Sequence, residues 1–339
     1  MRRINVCIII TLISVFILGI TGCGGVDDPD MNEQQSFGSG DASNSGASSN
    51  QTGSPGSSGP SDSSGVPESS GSSGSSDAGE GDDTWRISII DTNGQELWSF
   101  TEAELNRLPS ATDLAFTHVY STINNWPNTR FYAADGYRIE SILAAAGALD
   151  GVQTFTFRST DGYEVRLTQE QLLSSQYYFP QAGENDSGAA PVFPIITRSW
   201  RDGTDDIDAI RDDKPMLIFG QRNPFEHTNP AFVEALSEII VDYAPSQTWP
   251  MAGTFPQPGQ IATGDTVNLQ HPSYGLVKLH YTLDGSDPTP LSAMYNPSTY
   301  QPELNRPITI TEPTIIKVLV TGYGRNDSEI AVFEFIPVD

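Results

Sequence analysis

Val277-Lys278-Leu279-His280-Tyr281-Thr282-Leu283-Asp284-Gly285-Ser286-Asp287-Pro288-Thr289 is the stretch whose reading decides the fold. Val277, Leu279, Tyr281 and Leu283 alternate with Lys278, His280 and Thr282, the period of a half-buried strand. The six residues after it are a dense turn signal, in which Asp284 and Ser286 are placed to hydrogen-bond local backbone rather than a ligand. Ile308–Ile310, Thr314–Thr321 and Glu329–Phe335 read as further short strands, so residues 259–339 are expected to form an all-β sandwich.

Working back toward the N-terminus, Ala244–Gly259 is rich in Pro and Gly, and residues 246–258 read as a linker. Residues 84–245 then form an earlier domain. Arg86–Ile90 and Glu96–Phe100 flank the hairpin signal Asn93-Gly94, and Thr101 with Glu104 makes a capping box for a helix that follows at once. Ile139, Ile142, Leu143 and Ala146 recur at helical spacing, with Gly147 placed to end the helix. Thr154–Phe157 and Tyr163–Leu167 flank Asp161-Gly162, Thr168 and Gln171 repeat the capping chemistry, and Pro215–Phe219 and Glu238–Val241 are late strands. The expected class is α+β with a mostly antiparallel sheet, followed by the sandwich.

Residues 23–83 are Ser, Gly, Asp, Asn and Pro with almost nothing apolar, the composition of a disordered linker. Such a spacer spans roughly 40–45 Å, from about 5–6 Å times the square root of its length. Before it stand Arg2 and Arg3, an apolar run from Val6 to Ile20, and Thr21-Gly22-Cys23. That order is a secretory signal over residues 1–22. It resembles the lipoprotein class, and the resemblance implies cleavage before Cys23 and lipid on its sulfur. Two or three acyl chains would then anchor the protein on the extracytoplasmic face of a cell membrane. Cys7 and Cys23 are the two cysteines, so once Cys23 carries lipid no free thiol or disulfide remains.

Lys and Arg number 17 against 43 Asp and Glu, a net charge of −26. That balance disfavours nucleic acid and anionic lipid as partners through charge repulsion.

Two resemblances bear on function. Tyr281–Thr289, Tyr295, Pro307–Ile310, Ile315–Val318 and Ser328–Ala331 resemble the C-terminal β-sandwich of chitobiases and β-hexosaminidases, an immunoglobulin-like module. It implies an accessory role beside another domain, sometimes near glycans, and it does not imply hydrolysis; the expected partner is an unknown protein or glycan. Phe100-Thr101-x-x-Glu104-Leu105-x-x-Leu108-Pro109, Gly136–Gly147 and Phe157–Tyr163 resemble the molybdopterin-binding domain of sulfite-oxidase-type oxidoreductases. In that family a loop cysteine ligates molybdenum. Here Thr117–Trp126 contains no cysteine, and Ser121 is the nearest stand-in, a poorer donor to a soft metal than a thiolate. The fold is therefore expected without the cofactor, around a pocket formed by His118, Ser121, Asn124, Asp161 and Tyr163.

The remaining candidates are weaker. Asp202–Asp208 is an acidic loop without EF-hand spacing and reads as solvated. His227, beside Glu226 and between prolines, has the chemistry of a base but reads as a surface turn residue. His118 and Ser121 are a possible nucleophilic pair on a loop. Trp126, Trp200 and Trp249 are sugar platforms or core. Together these features point to a lipid-anchored surface protein that binds a ligand or partner without catalysis. Its alternatives are a molybdopterin oxidoreductase and a glycan or cell-wall targeting module.

Overall fold

A computed structural model describes residues 85–108, 111–211 and 214–339, all within one compact unit. The expected signal, Cys23 and the Ser/Gly-rich segment lie outside the described residues.

Two apolar clusters organise the unit, one drawn from residues of the N-terminal lobe and one from the C-terminal lobe. The N-terminal cluster takes side chains from two five-stranded sheets. The first sheet orders its strands Glu96–Thr101, Arg86–Asp91, Leu236–Asp242, Thr154–Ser159 and Glu164–Thr168. The last long strand of the lobe, Leu236–Asp242, runs parallel to the first, Ser88 facing Glu238, which ties the two ends of the lobe together. Alternation sets the faces: Ile87, Ile89, Phe155, Phe157, Ile239 and Val241 point into the core. The second sheet is antiparallel throughout and orders Val233–Glu234, Met216–Ile218, Ile195–Asp202, Thr129–Arg138 and Ala115–Ile123.

Both capping boxes form. The Thr101 side chain accepts from the Glu104 amide while the Glu104 carboxylate accepts from the Thr101 amide, and Thr168 with Gln171 does the same. The helices they open are short, Glu102–Asn106 and Gln169–Leu173, and Ile139–Ala145 stops at Gly147, whose φ is +65°. The chain is therefore β-rich with few helices, where the sequence pointed to α+β. The start signals were read correctly, but each helix ends after one or two turns because the chain must return to a sheet.

Residues 117–123, read as part of a loop, lie in the nine-residue strand Ala115–Ile123. Its second half, Val119 to Ile123, is buried on both faces, so it lacks the alternation that marks a half-exposed strand. Asp135-Gly136, just ahead of the helix at Ile139, sits in Thr129–Arg138 at a register shift. A Cβ at Gly136 would come within 2.3 Å of the Ile196 carbonyl oxygen, so the close approach requires glycine.

The C-terminal cluster is enclosed by a three-stranded sheet, Gly253–Phe255, Thr266–Gln270 and Ile308–Thr309, and a five-stranded one. The latter orders Gly259–Ala262, Ala331–Val338, Thr314–Gly322, Val277–Thr282 and Ala293–Met294. The segment read as the linker 246–258 belongs to this lobe. Trp249 and Ala252 are in its core, and Gly253–Phe255 pairs with Thr266–Gln270. Pro punctuates that stretch, but a three-residue strand at a sheet edge fits between prolines.

Candidate functional site

The lobes meet through specific bonds. The Gln171 side chain donates to the carbonyls of Gly322 (2.8 Å) and Arg325 (3.0 Å) and accepts from the Gly324 amide (2.9 Å). Tyr323 packs its ring on the N-terminal cluster and donates its hydroxyl to Glu226 Oε1 at 3.1 Å. Ser298 Oγ donates to the Asn125 carbonyl at 2.8 Å.

Between these contacts lies a cleft of about 820 Å³, lined by Tyr163, Arg222 and His227 from one lobe and by Trp249, Lys278 and His280 from the other. Its volume falls in the range of about 300–1,000 Å³ usual for small-molecule sites. Leu276, Pro290, Leu291 and Met294 supply apolar wall.

Strand Val277–Thr282 explains how the polar groups reach it. Val277 and Leu279 face the C-terminal core, so Lys278 and His280 share the opposite face and line the cleft. That face is covered: His280 is 3 % exposed. The half-buried strand of the sequence is thus buried on both sides at its centre. Asn296 holds it there, accepting from the Leu279 amide at 2.7 Å and donating to the Val277 carbonyl at 2.7 Å. Lys278 Nζ donates to the carbonyls of Asn296 (3.3 Å) and Pro297 (3.2 Å).

Burial disfavours the charged form of each basic group here. It pulls Lys278 down from 10.5 to about 8. It pulls His227 from 6.5 to about 3, helped by the Lys278 charge and opposed by a backbone hydrogen bond at Asn124. His280 is lowered by burial, with the Ser292 carbonyl opposing and Lys278 adding to the effect. Two buried polar atoms on the lining side chains, His227 Nδ1 and Trp249 Nε1, have no hydrogen-bond partner among the described residues.

The sequence-derived pocket is not assembled. Ser121 is fully buried, donates to Gln221 Oε1 at 2.6 Å and accepts from the Phe179 amide at 2.8 Å. His118 lies three positions away on the same strand, which sends it to the opposite face, so the two do not form a nucleophilic pair. Its Nδ1 lies 2.7 Å from the Val119 carbonyl oxygen, and its ring stacks on Phe116. Asn124 accepts from the amides of Trp126 and Asn128, and Asp161 from the amide of Tyr163, both as turn-forming side chains. Tyr163 alone of the five lines the cleft, its hydroxyl donated to the Pro230 carbonyl at 2.6 Å.

His227, read as a surface turn residue, is 8 % exposed and lines the cleft. Asp202 pairs with Arg130, and Asp206 caps the short turn Ile207–Ala209. Among the described residues no group of three or more His, Cys, Asp or Glu is arranged to hold a metal. Trp200 is core and donates to the Lys214 carbonyl, whereas Trp126 is half exposed and stacks on Tyr300 at 5.4 Å. A molybdenum ligand at Ser121 does not fit these surroundings, because its oxygen is enclosed and already bonded on both sides.

Residues 256–332 match the family described as the chitobiase/beta-hexosaminidase C-terminal domain. An immunoglobulin-like sandwich is consistent with that match and with the two sheets around the C-terminal core. The crystal structure of the sulfane dehydrogenase SoxCD from Paracoccus pantotrophus is similar over 74 % of this chain and 75 % of that chain, at 10 % identity and a TM-score of 0.31. A likeness at that score carries no argument about activity. No curated protein matches the chain significantly. The C-terminal lobe is therefore similar to a chitobiase/beta-hexosaminidase C-terminal domain, and the lobe before it takes no function from these comparisons.

Proposed function

We propose that the protein is a lipid-anchored extracytoplasmic binding protein, held on the membrane through Cys23, that takes a small ligand into the cleft between its lobes without catalysing its conversion. The supporting observation is the cleft itself: apolar wall, a few convergent polar groups, and contributions from both lobes. The unpartnered His227 and Trp249 atoms support it further, since buried polar atoms are normally satisfied.

Catalysis is not part of the proposal. Ser121 is committed to structural hydrogen bonds, and among the described residues no group of three or more His, Cys, Asp or Glu is arranged around His227 to hold a metal. The glycan-targeting alternative rests on Trp126 and Tyr300, which are exposed and stacked at 5.4 Å between ring centroids.

The test is to purify the full chain and a variant whose cleft is filled by Leu291→Trp with Met294→Trp. Both are denatured and the released small molecules identified by mass spectrometry. A compound released at stoichiometric level from the native chain and absent from the filled variant is expected. Identical release from both would contradict the proposal.

A further inference from the structure

Lys278, His227 and His280 bring nitrogens to the cleft with no carboxylate bonded to them among the described residues. Lys278 donates to two main-chain carbonyls and makes no ion pair among the described residues, and burial alone accounts for its lowered basicity. His227 and His280 stand close enough that the Lys278 charge opposes a proton on either. His227 Nδ1 and Trp249 Nε1 are buried without partners among the described residues, on side chains that are themselves more than nine-tenths buried.

The acidic groups of the cleft do not supply the missing charge. Glu164 is bonded to Arg158 at 2.5 Å, and Glu226 is held by the Arg222 guanidinium and by Tyr323. Asp327 is exposed. Of the other cations, Arg222 is taken by Glu226 and Arg166 by Asp242. The recess around Lys278 is therefore a local excess of positive charge in a chain whose net charge is −26.

We propose that the cleft selects an organic monoanion, a carboxylate on an apolar body, with the carboxylate held by Lys278 together with His227 and His280. The proposal rests on the cleft being the binding site and adds the ligand's chemical class. The carboxylate provides the counter-charge Lys278 lacks, and it makes a proton on His227 less costly. The apolar body lies against Leu276, Leu291 and Met294. A dianion is disfavoured, because one ammonium faces a cleft that also contains Glu226 and Asp327.

The pH dependence has a fixed sign. In the free protein Lys278 titrates at about 8, and a bound anion raises that value. Affinity is therefore full below about pH 8 and falls as pH rises through and above it, by up to about tenfold per unit.

The experiment is calorimetric titration of the full chain with 4-phenylbutyrate, its neutral analogue 4-phenylbutanamide, and inorganic phosphate, with tryptophan fluorescence recorded in parallel. Binding of 4-phenylbutyrate with one site at pH 7 is expected, with the amide at least about tenfold weaker and phosphate undetected. Lys278→Met is expected to lose at least about tenfold in affinity. Should that variant fail to fold, Lys278→Arg carries the test, because arginine does not titrate in this range. The ratio of affinities at pH 7 and pH 9.5 is expected to fall close to unity in Lys278→Arg. Equal binding of the acid and the amide would overturn the anion proposal and leave the cleft reading intact. Phosphate binding as tightly as 4-phenylbutyrate would overturn the apolar-body assignment. No heat and no fluorescence change with either organic probe would overturn both the proposal and the cleft reading.

Discussion

The Tyr323 hydroxyl, from the C-terminal lobe, donates to Glu226 Oε1 of the N-terminal lobe at 3.1 Å, and Glu226 is the residue that also pairs with Arg222. The tyrosine ring packs edge-on against Phe219 at 5.9 Å between centroids. One side chain thus joins the two lobes through an apolar contact and a charge-assisted hydrogen bond at the cleft wall. Tyr323→Phe keeps the ring and removes the bond. It is expected to lower stability by about 1–2 kcal/mol in urea unfolding, with Glu226 still paired to Arg222.

Gly324 is the second pin. Its φ is +78°, and a Cβ there would lie 2.9 Å from Arg166 Cβ and 3.1 Å from the Arg166 carbonyl oxygen. Gly324→Ala combines a left-handed backbone penalty with overpacking against main chain, a cost of about 2–4 kcal/mol. The expected readout is a melting temperature lowered by several degrees. An unchanged value would mean that the lobes are not held together at this point.

His227 sets a response to acid. Its folded value is about 3 against 6.5 when unfolded, so below pH 6.5 the unfolded chain takes up a proton that the folded chain resists. Stability therefore falls as pH drops from 6.5 toward 3, by at most about 1.4 kcal/mol per unit from this group. His227→Gln is expected to flatten that slope relative to the native chain in denaturant unfolding at pH 6.5, 5.5 and 4.5. Parallel slopes would show that the ring is not buried in its neutral form.

The anchor is tested separately. Cys23→Ala is expected to move the protein from the membrane fraction to the soluble extracytoplasmic fraction and to abolish incorporation of labelled palmitate. Retention on the membrane in that variant would contradict lipid attachment at Cys23.

Much of the scaffold was legible because its signals are local. Thr101 with Glu104 and Thr168 with Gln171 announce helix starts within four residues, and the alternation around Leu279 announces a strand. Strand Ala115–Ile123 was not legible, because a segment buried on both faces loses its period. The site was hidden for a different reason. His227 and Lys278 lie on different lobes, and the docking made by Gln171, Tyr323, Gly324 and Ser298 brings them to one cleft. The one clue was the face of strand Val277–Thr282 opposite its core, where Lys278 and His280 are adjacent polar positions. Sequence alone cannot say whether such a face meets water or another lobe.

Hydrogen–deuterium exchange of the full chain with and without saturating 4-phenylbutyrate tests the central claim most directly. Protection is expected in three separated segments that border the cleft: Tyr163–Arg166, Arg222–His227 and Leu276–His280. Protection confined to one lobe, or centred on Trp126 and Tyr300, would contradict a binding site built between the lobes.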